Sequence, residues 1–289
     1  MKIRLVAFDL DGTLLDDEKH LPDENRKALE EAARQGVVCV PATGRIAGAI
    51  PPAVRELPFV RYCIVTNGAA VYDLREDKLL LRADIPVELA LDCCRYMAEL
   101  GVVYDCYQNE HGWMNRSMLE HLEPWFVTEP KMLELIRQTR SPVEDLYETL
   151  KARGEPVQKL QMFFRPDQMD ERARQLHAVP TRFPALAATS SVSNNIEINS
   201  IHAGKGKALR ALCRHLAIDP GDSLAFGDGS NDLELLEMAG LGVAMANAQE
   251  PVKRIAGAVC GNNNDAGLGK ALLALLDSAE KGAIAWKTP

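Results

Sequence analysis

The sequence predicts an α/β protein: a doubly wound parallel sheet interrupted by an inserted α+β domain. Three observations carry that expectation. Short apolar runs alternate with helical patterns over the first eighty residues and again after residue 203, the signature of strand–helix–strand units. Between them helices and strands lose that alternation, as in a domain built on an antiparallel sheet. A chain of 289 residues also exceeds what one hydrophobic core usually serves. The expected domains are a discontinuous core of residues 1–83 and 194–289, and an insert of residues 84–193.

The first strand is the apolar run Ile3 to Phe8, which meets Asp9 and Asp11 and turns at Gly12-Thr13. Pro22 then opens a helix with Ala28, Leu29, Ala32 and Ala33 at helical spacing, and Gly36 ends it. Val37 to Val40 is a second buried strand, followed at once by Thr43-Gly44-Arg45. A right-handed crossover between these strands places Thr43 beside Asp9 along one sheet edge. Pro51-Pro52 leaves only a short or broken helix between Ile46 and Leu57. Tyr62 to Thr66 is a third strand ending in Asn67-Gly68, and Ala70–Tyr72 with Lys78–Arg82 reads as a hairpin.

In the insert, Pro86–Leu100 is an amphipathic helix closed by Gly101, and Val102–Tyr107 and Trp113-Met114 are strands. Ser117–Phe126 and Val143–Arg153 read as helices separated by an irregular stretch. Val157–Phe164 is a strand, Asp167–Ala178 a helix capped by Asp167, and Leu186–Ser190 and Asn195–Ile198 are strands. The aromatics Tyr104, Tyr107, Trp113, Phe163 and Phe164 are expected in the core. The parallel pattern then resumes. Gly204-Lys205-Gly206 leads a helix to Leu216, and Ser223–Phe226 is a strand running into Gly227-Asp228-Gly229-Ser230-Asn231-Asp232. Leu233–Met238 and Gln249–Ile255 are helices around the strand Leu241–Met245, and the strand Ala258–Cys260 precedes a closing helix, Ala266–Ser278.

Composition excludes several partner classes. With a net charge of −8 the chain lacks the basic face that nucleic acid or an anionic membrane surface requires. No stretch approaches the roughly 18 apolar residues of a membrane span, and Asp9 and Asp11 interrupt the only signal-like run. The seven cysteines are scattered without metal-ligand spacing, which suits buried thiols in a reducing, cytoplasmic setting.

Four polar clusters follow four apolar runs: Asp9/Asp11, Thr43-Gly44, Lys205, and Asp228/Asn231/Asp232. In an open α/β sheet these converge on one edge, where ligands bind. Carboxylates there suit Mg²⁺, which is held by one or two acids plus waters and substrate phosphate. The Thr43 hydroxyl, the Gly44 N–H and the Lys205 ammonium are donors for phosphate oxygens. One carboxylate can attack phosphorus while a neighbour two residues on moves protons. Lys207 is an equally available amine, and Asp232 serves either a metal or its helix N-terminus. Arg45 reads as a structural or solvated charge.

The order D-x-D-G-T, T-G-R, G-x-K-G and G-D-x-x-N-D resembles the haloacid dehalogenase superfamily of phosphatases. T-N-G-A at residues 66–69 and E-I-N-x-x-x-x-G-K-G at 197–206 resemble its Cof-like, type IIB branch, and the likeness covers essentially the whole chain. The resemblance implies that Asp9 is the nucleophile and Asp11 the general acid/base. It implies that Asp9, the Asp11 carbonyl and Asp228 bind Mg²⁺ with Asp232 beside them. Thr43, Gly44 and Lys205 would hold the phosphoryl group, with Asn231 in or next to that shell, and the insert would be a mobile cap that selects the substrate. Leu235 and Ala246 stand where the branch often has Met and Gly, and Asp11 separates the chain from the dehalogenases themselves. The expected activity is Mg²⁺-dependent hydrolysis of small phosphorylated metabolites, sugar phosphates foremost, through an aspartyl phosphate. A phosphomutase and a non-catalytic phosphometabolite-binding protein are the alternatives.

Overall fold

The computed structural model describes residues 2–128 and 130–280, which form two compact units. Of the described residues, one unit comprises 2–82 and 204–280, and the other lies within 83–203.

The first segment of the discontinuous unit runs β1 (Leu5–Phe8), α1 (Asp23–Arg34), β2 (Val38–Pro41), α2 (Pro52–Arg55), β3 (Tyr62–Val65), β4 (Ala70–Asp73) and β5 (Lys78–Arg82). All four residues of β1 are fully buried, as a strand covered on both faces must be. The face of α1 that packs inward is the expected one, with Ala28, Leu29 and Ala32 without exposure. The two prolines leave only the four-residue α2, preceded by a single 3₁₀ turn at Ala47–Ala49. β3 does not extend the parallel sheet as a full strand. It heads an antiparallel sheet β3-β4-β5 and touches the parallel one through a single bridge, Ala42 to Ile64.

The second unit contains α3 (Val87–Glu99), β6 (Val103–Gln108), β7 (His111–Asn115), α4 (Arg116–Leu119), α5 (Pro130–Thr139), β8 (Arg140–Val143), α6 (Leu146–Arg153), β9 (Lys159–Phe163), α7 (Met169–Arg182), β10 (Leu186–Thr189) and β11 (Asn195–Ser200). Its six-stranded sheet has the order β10-β11-β9-β6-β7-β8, antiparallel except between β7 and β8. Residues Asn109 and Glu110, both with positive φ, make the tight turn between β6 and β7. Tyr104, Cys106, Leu160, Met162 and Ile198 pack with α3, α6 and α7 in one cluster. Val103, Met114 and Phe163 pack with Leu122, Phe126 and Ile136 in another.

Four expectations for this unit need correction. The helix read over Ser117–Phe126 is only the four-residue α4, with a separate 3₁₀ turn at Glu123–Trp125. The stretch read as irregular holds α5 and β8. β8 contains Pro142, which has no N–H to give, and is tolerated because β8 is an edge strand. Asp167 does not cap α7: it lies in a 3₁₀ turn, Pro166–Gln168, and Gln168 occupies the N-cap position. The return crossing falls at 203/204 rather than 193/194, because β11 pairs with β9 and β10. Of the aromatics expected inside, Tyr104, Tyr107, Phe163 and Phe164 are buried and Trp113 is half-buried.

The chain then completes the first unit with α8 (Lys205–His215), β12 (Ser223–Gly227), α9 (Leu233–Met238), β13 (Leu241–Ala244), α10 (Glu250–Ile255), β14 (Ala258–Val259) and α11 (Gly267–Glu280). The five-stranded sheet is parallel throughout, in the order β14-β13-β12-β1-β2. Phe8 lies level with Phe226 on one side and Pro41 on the other, so the loops after β12, β1 and β2 leave the sheet at one height. All seven cysteines carry free thiols, and all but Cys260 are buried. Among the described residues no helix is long and apolar enough to cross a membrane.

Candidate active site

The register of β1 against β12 brings the two acidic loops together. Asp9 begins where Phe8 ends, its N–H donating to the Phe226 carbonyl at 3.0 Å, and Asp228 lies two residues beyond Phe226. Gly12, at φ +81°, lets the loops close: a Cβ there would stand 2.5 Å from Asp228 Oδ2. Thr13 Oγ1 donates to Asp228 Oδ1 at 2.7 Å, so the same turn that needs glycine also grips the opposing acid.

Lys205 enters this cluster from the first residue of α8. Its fully buried ammonium donates to Asp9 Oδ1 and to Asp232 Oδ1, each at 2.6 Å. Lys207, the other amine in the motif, pairs instead with Glu234 at 2.9 Å and is 47% exposed, so the structure separates the two lysines. Asp232 has its second oxygen on the N–H groups of Asp228 and Gly229, at 2.9 and 3.0 Å. Both of its oxygens are therefore engaged.

Burial and the neighbouring acids set the charges. Burial pushes the Asp9 carboxyl well above the ordinary range; Lys205 opposes this, while Asp232, Asp228 and Asp11 add to it. Asp228 is pushed up to about 7 by burial and by Asp232, against the Thr13 hydrogen bond and Lys205. Burial works against the charge of Lys205, but Asp232 and Asp9 hold its ammonium above the usual lysine range. Oxygens of Asp9, Asp228 and Asp232 lie within 4.8 Å of one another. Among the described residues, neither Asp9 Oδ2 nor Asp228 Oδ2 accepts a hydrogen bond. Two unfilled carboxylate oxygens beside one ammonium fit a hard divalent cation.

The phosphate donors expected from the sequence lie along the same edge. Ala42 donates to the Phe8 carbonyl at 2.8 Å, and Thr43, 1% exposed, follows it with its own N–H on the Ile64 carbonyl. Thr43 Oγ1 accepts the N–H of Arg45 at 3.2 Å, and Gly44 between them is partly exposed. Asn231 Nδ2 donates to Asn67 Oδ1 at 3.1 Å, and Asn67 sits at φ +56° in the turn Thr66–Gly68.

Arg45 is not a solvated charge. Its side chain, 12% exposed, grips both oxygens of Asp11 at 2.8 and 2.7 Å and also donates to the Ala49 carbonyl. Lys19 adds a third cationic contact to Asp11 at 2.9 Å. Burial would raise the Asp11 carboxyl, but Arg45 and Lys19 hold it well below the usual carboxylate range.

The family model for haloacid dehalogenase-like hydrolases matches residues 6–272, a span containing every residue of the acidic cluster and its neighbouring loops. The chain belongs to that family. It is 29% identical to phosphatase YwpJ of Bacillus subtilis, over 95% of this chain and all of that one. It is 30% identical to the 5-amino-6-(5-phospho-D-ribitylamino)uracil phosphatase YcsE of the same organism, over 93% and 94% of the two chains. A solved haloacid dehalogenase-like hydrolase from B. subtilis superposes with a TM-score of 0.79 at 29% identity, covering 95% of this chain and 100% of that one.

This hydrolase is thus a phosphatase of the haloacid dehalogenase type. Reading the sequence missed two participants in its cluster. The cationic grip on Asp11 has its signal in T-G-R, where the arginine follows Thr43 and Gly44, but nothing local shows that it turns toward β1. Asn67 shows itself only as part of T-N-G-A, and its partner Asn231 lies 164 residues away.

Proposed function

We propose that this phosphatase hydrolyses small phosphorylated metabolites, sugar and sugar-alcohol phosphates foremost, through a phosphoryl-Asp9 intermediate. One observation carries the reading: the Lys205 ammonium bridges Asp9 and Asp232 inside a cluster of three acids that one cation does not neutralise. The likeness to a phosphatase of a phosphoribityl compound supports the substrate class. Asp9, the Asp11 carbonyl and Asp228 would hold Mg²⁺, with Asp232 beside them, and the ion would lower the charge barrier between these acids and a phosphate dianion. Asp232, with both oxygens engaged, orients Lys205 and the Asp228 loop.

One oxygen of the Asp9 carboxylate attacks, and it forms a bond to phosphorus as the P–O bond to the leaving group breaks. Thr43, Gly44, Lys205 and Asn231 hold the phosphoryl oxygens. Asp11 gives its proton to the departing oxygen, then takes one from the water that attacks phosphorus and frees Asp9. A carboxylate gripped by Arg45 and Lys19 is ionised and cannot donate, so Asp11 must release these partners and take up a proton before the first step.

Phosphate release across a panel of phosphorylated metabolites tests this reading. Turnover abolished by chelator and by Asp9→Asn is expected; full activity in Asp9→Asn would overturn it.

A further inference from the structure

A five-residue turn after β13 fastens the two acid-bearing loops to each other. Met245 continues the parallel ladder, donating its N–H to the Gly227 carbonyl at 3.1 Å. Four residues later the Gln249 N–H donates to the Asp228 carbonyl, also at 3.1 Å. Between these two anchors, Asn247 Nδ2 donates to the Gly12 carbonyl at 2.7 Å. One turn therefore holds the backbone of the Asp228 loop at two points and that of the Asp9–Thr13 loop at a third.

The orientation of the Asn247 carboxamide is set from its other side. Its Oδ1 accepts the Asn263 N–H at 3.1 Å, which leaves the amino group facing Gly12. Asn263, 1% exposed, is itself anchored, with Nδ2 donating to the Leu15 carbonyl and to Asp17 Oδ1, both at 3.1 Å. The Gly12 carbonyl is a sensitive point to hold. It belongs to the peptide that carries Thr13, whose hydroxyl grips Asp228 Oδ1, and to the residue whose Cα fits directly against Asp228 Oδ2. Rotating that peptide would change both contacts at once.

We propose that Asn247 is a positioning residue for the divalent-cation site, fixing the spacing between the loop of Asp9 and Asp11 and the loop of Asp228. The inference rests on the assignment of those acids to the metal under the proposed function. Asn247 touches neither the ion nor the substrate. It acts through the Gly12 peptide, as hydrogen-bond partners behind metal ligands do elsewhere.

The test is Mn²⁺ binding to the full chain without substrate, with free Mn²⁺ counted by electron paramagnetic resonance, alongside thermal unfolding in chelator. Asn247→Ala removes both carboxamide bonds. Asn247→Asp keeps the acceptor for Asn263 but turns an acceptor toward Gly12, and its added charge by itself would tighten cation binding. Both variants are expected to bind Mn²⁺ about 10- to 100-fold more weakly than the parent, with metal-free melting close to the parent's. Parent-like Mn²⁺ affinity in either variant overturns the role of Asn247. Failure of the metal assignment looks different: Asp228→Asn would then bind Mn²⁺ like the parent, and both proposals would fall together.

Discussion

Replacing Lys205 by Met removes the one ammonium from the acidic cluster while keeping most of the side chain's volume. Asp9 Oδ1 and Asp232 Oδ1 each lose a 2.6 Å ionic hydrogen bond in a place where Lys205 has no solvent exposure. Leaving a buried charge without its partner costs about 3–5 kcal/mol. At roughly 2–4 °C per kcal/mol for a unit of this size, melting in chelator should fall by about 10 °C at pH 8. The sign with pH follows from the Asp9 carboxyl, which already lies above its unfolded value. A raised carboxyl favours the fold below its unfolded pKa and loses that contribution as pH rises through the folded one. The loss of the lysine raises it further, so the deficit of Lys205→Met should shrink as pH is lowered toward 5. Calorimetry of parent and variant in chelator at both pH values reads this directly. Melting within about 2 °C of the parent at pH 8 would refute the assignment of Lys205 as the counter-ion of Asp9 and Asp232.

Other expectations follow from the same geometry. Asp228, raised to about 7, favours the metal-free fold below its unfolded pKa near 3.9 and loses that contribution as pH rises through about 7. Denaturant unfolding of the chelated protein should therefore show stability falling between pH 5 and 8, and Mg²⁺ should remove most of that fall. Gly12→Ala sets a Cβ 2.5 Å from Asp228 Oδ2 at φ +81°, so it should cost about 1–2 kcal/mol in strain and on the order of 100-fold in kcat/KM. Arg45→Ala strips both guanidinium bonds from Asp11, so the alkaline limb of the kcat/KM profile, where Asp11 loses the proton the first step needs, should move to higher pH, and an unmoved limb would separate Arg45 from the proton chemistry. Lys19→Ala, which removes one more exposed contact, should move it less.

The parallel core was legible because its signals are local. β1 and β12 read as unbroken apolar runs, and each runs straight into its acids, so Asp9 and Asp228 could be placed on one edge before any coordinates. Lys205 could not be told from Lys207 by spacing, since both open the same helix; the G-x-K-G match favoured Lys205, and the burial of one against Asp9 and the exposure of the other separate them physically. The insert was harder. β11 reads as a strand at its true place, but its pairing with β9 and β10, which assigns it to the second unit, is a long-range choice. β8 hides behind Pro142, whose cost vanishes at a sheet edge. Arg45 was left between a structural and a solvated charge for a related reason: its partner Asp11 lies 34 residues back, at a distance set by the crossover and by no local pattern.

Rapid quenching of the enzyme in mid-turnover with a phosphorylated sugar, followed by peptide mapping, decides whether Asp9 takes the phosphoryl group. The geometry predicts a phosphate's mass on the peptide carrying Asp9, lost on prolonged incubation and never formed in Asp9→Asn, whose turnover falls on the order of 10⁴-fold or more. Phosphate release at the parent rate with that peptide unmodified, or with the label on another residue, would contradict it.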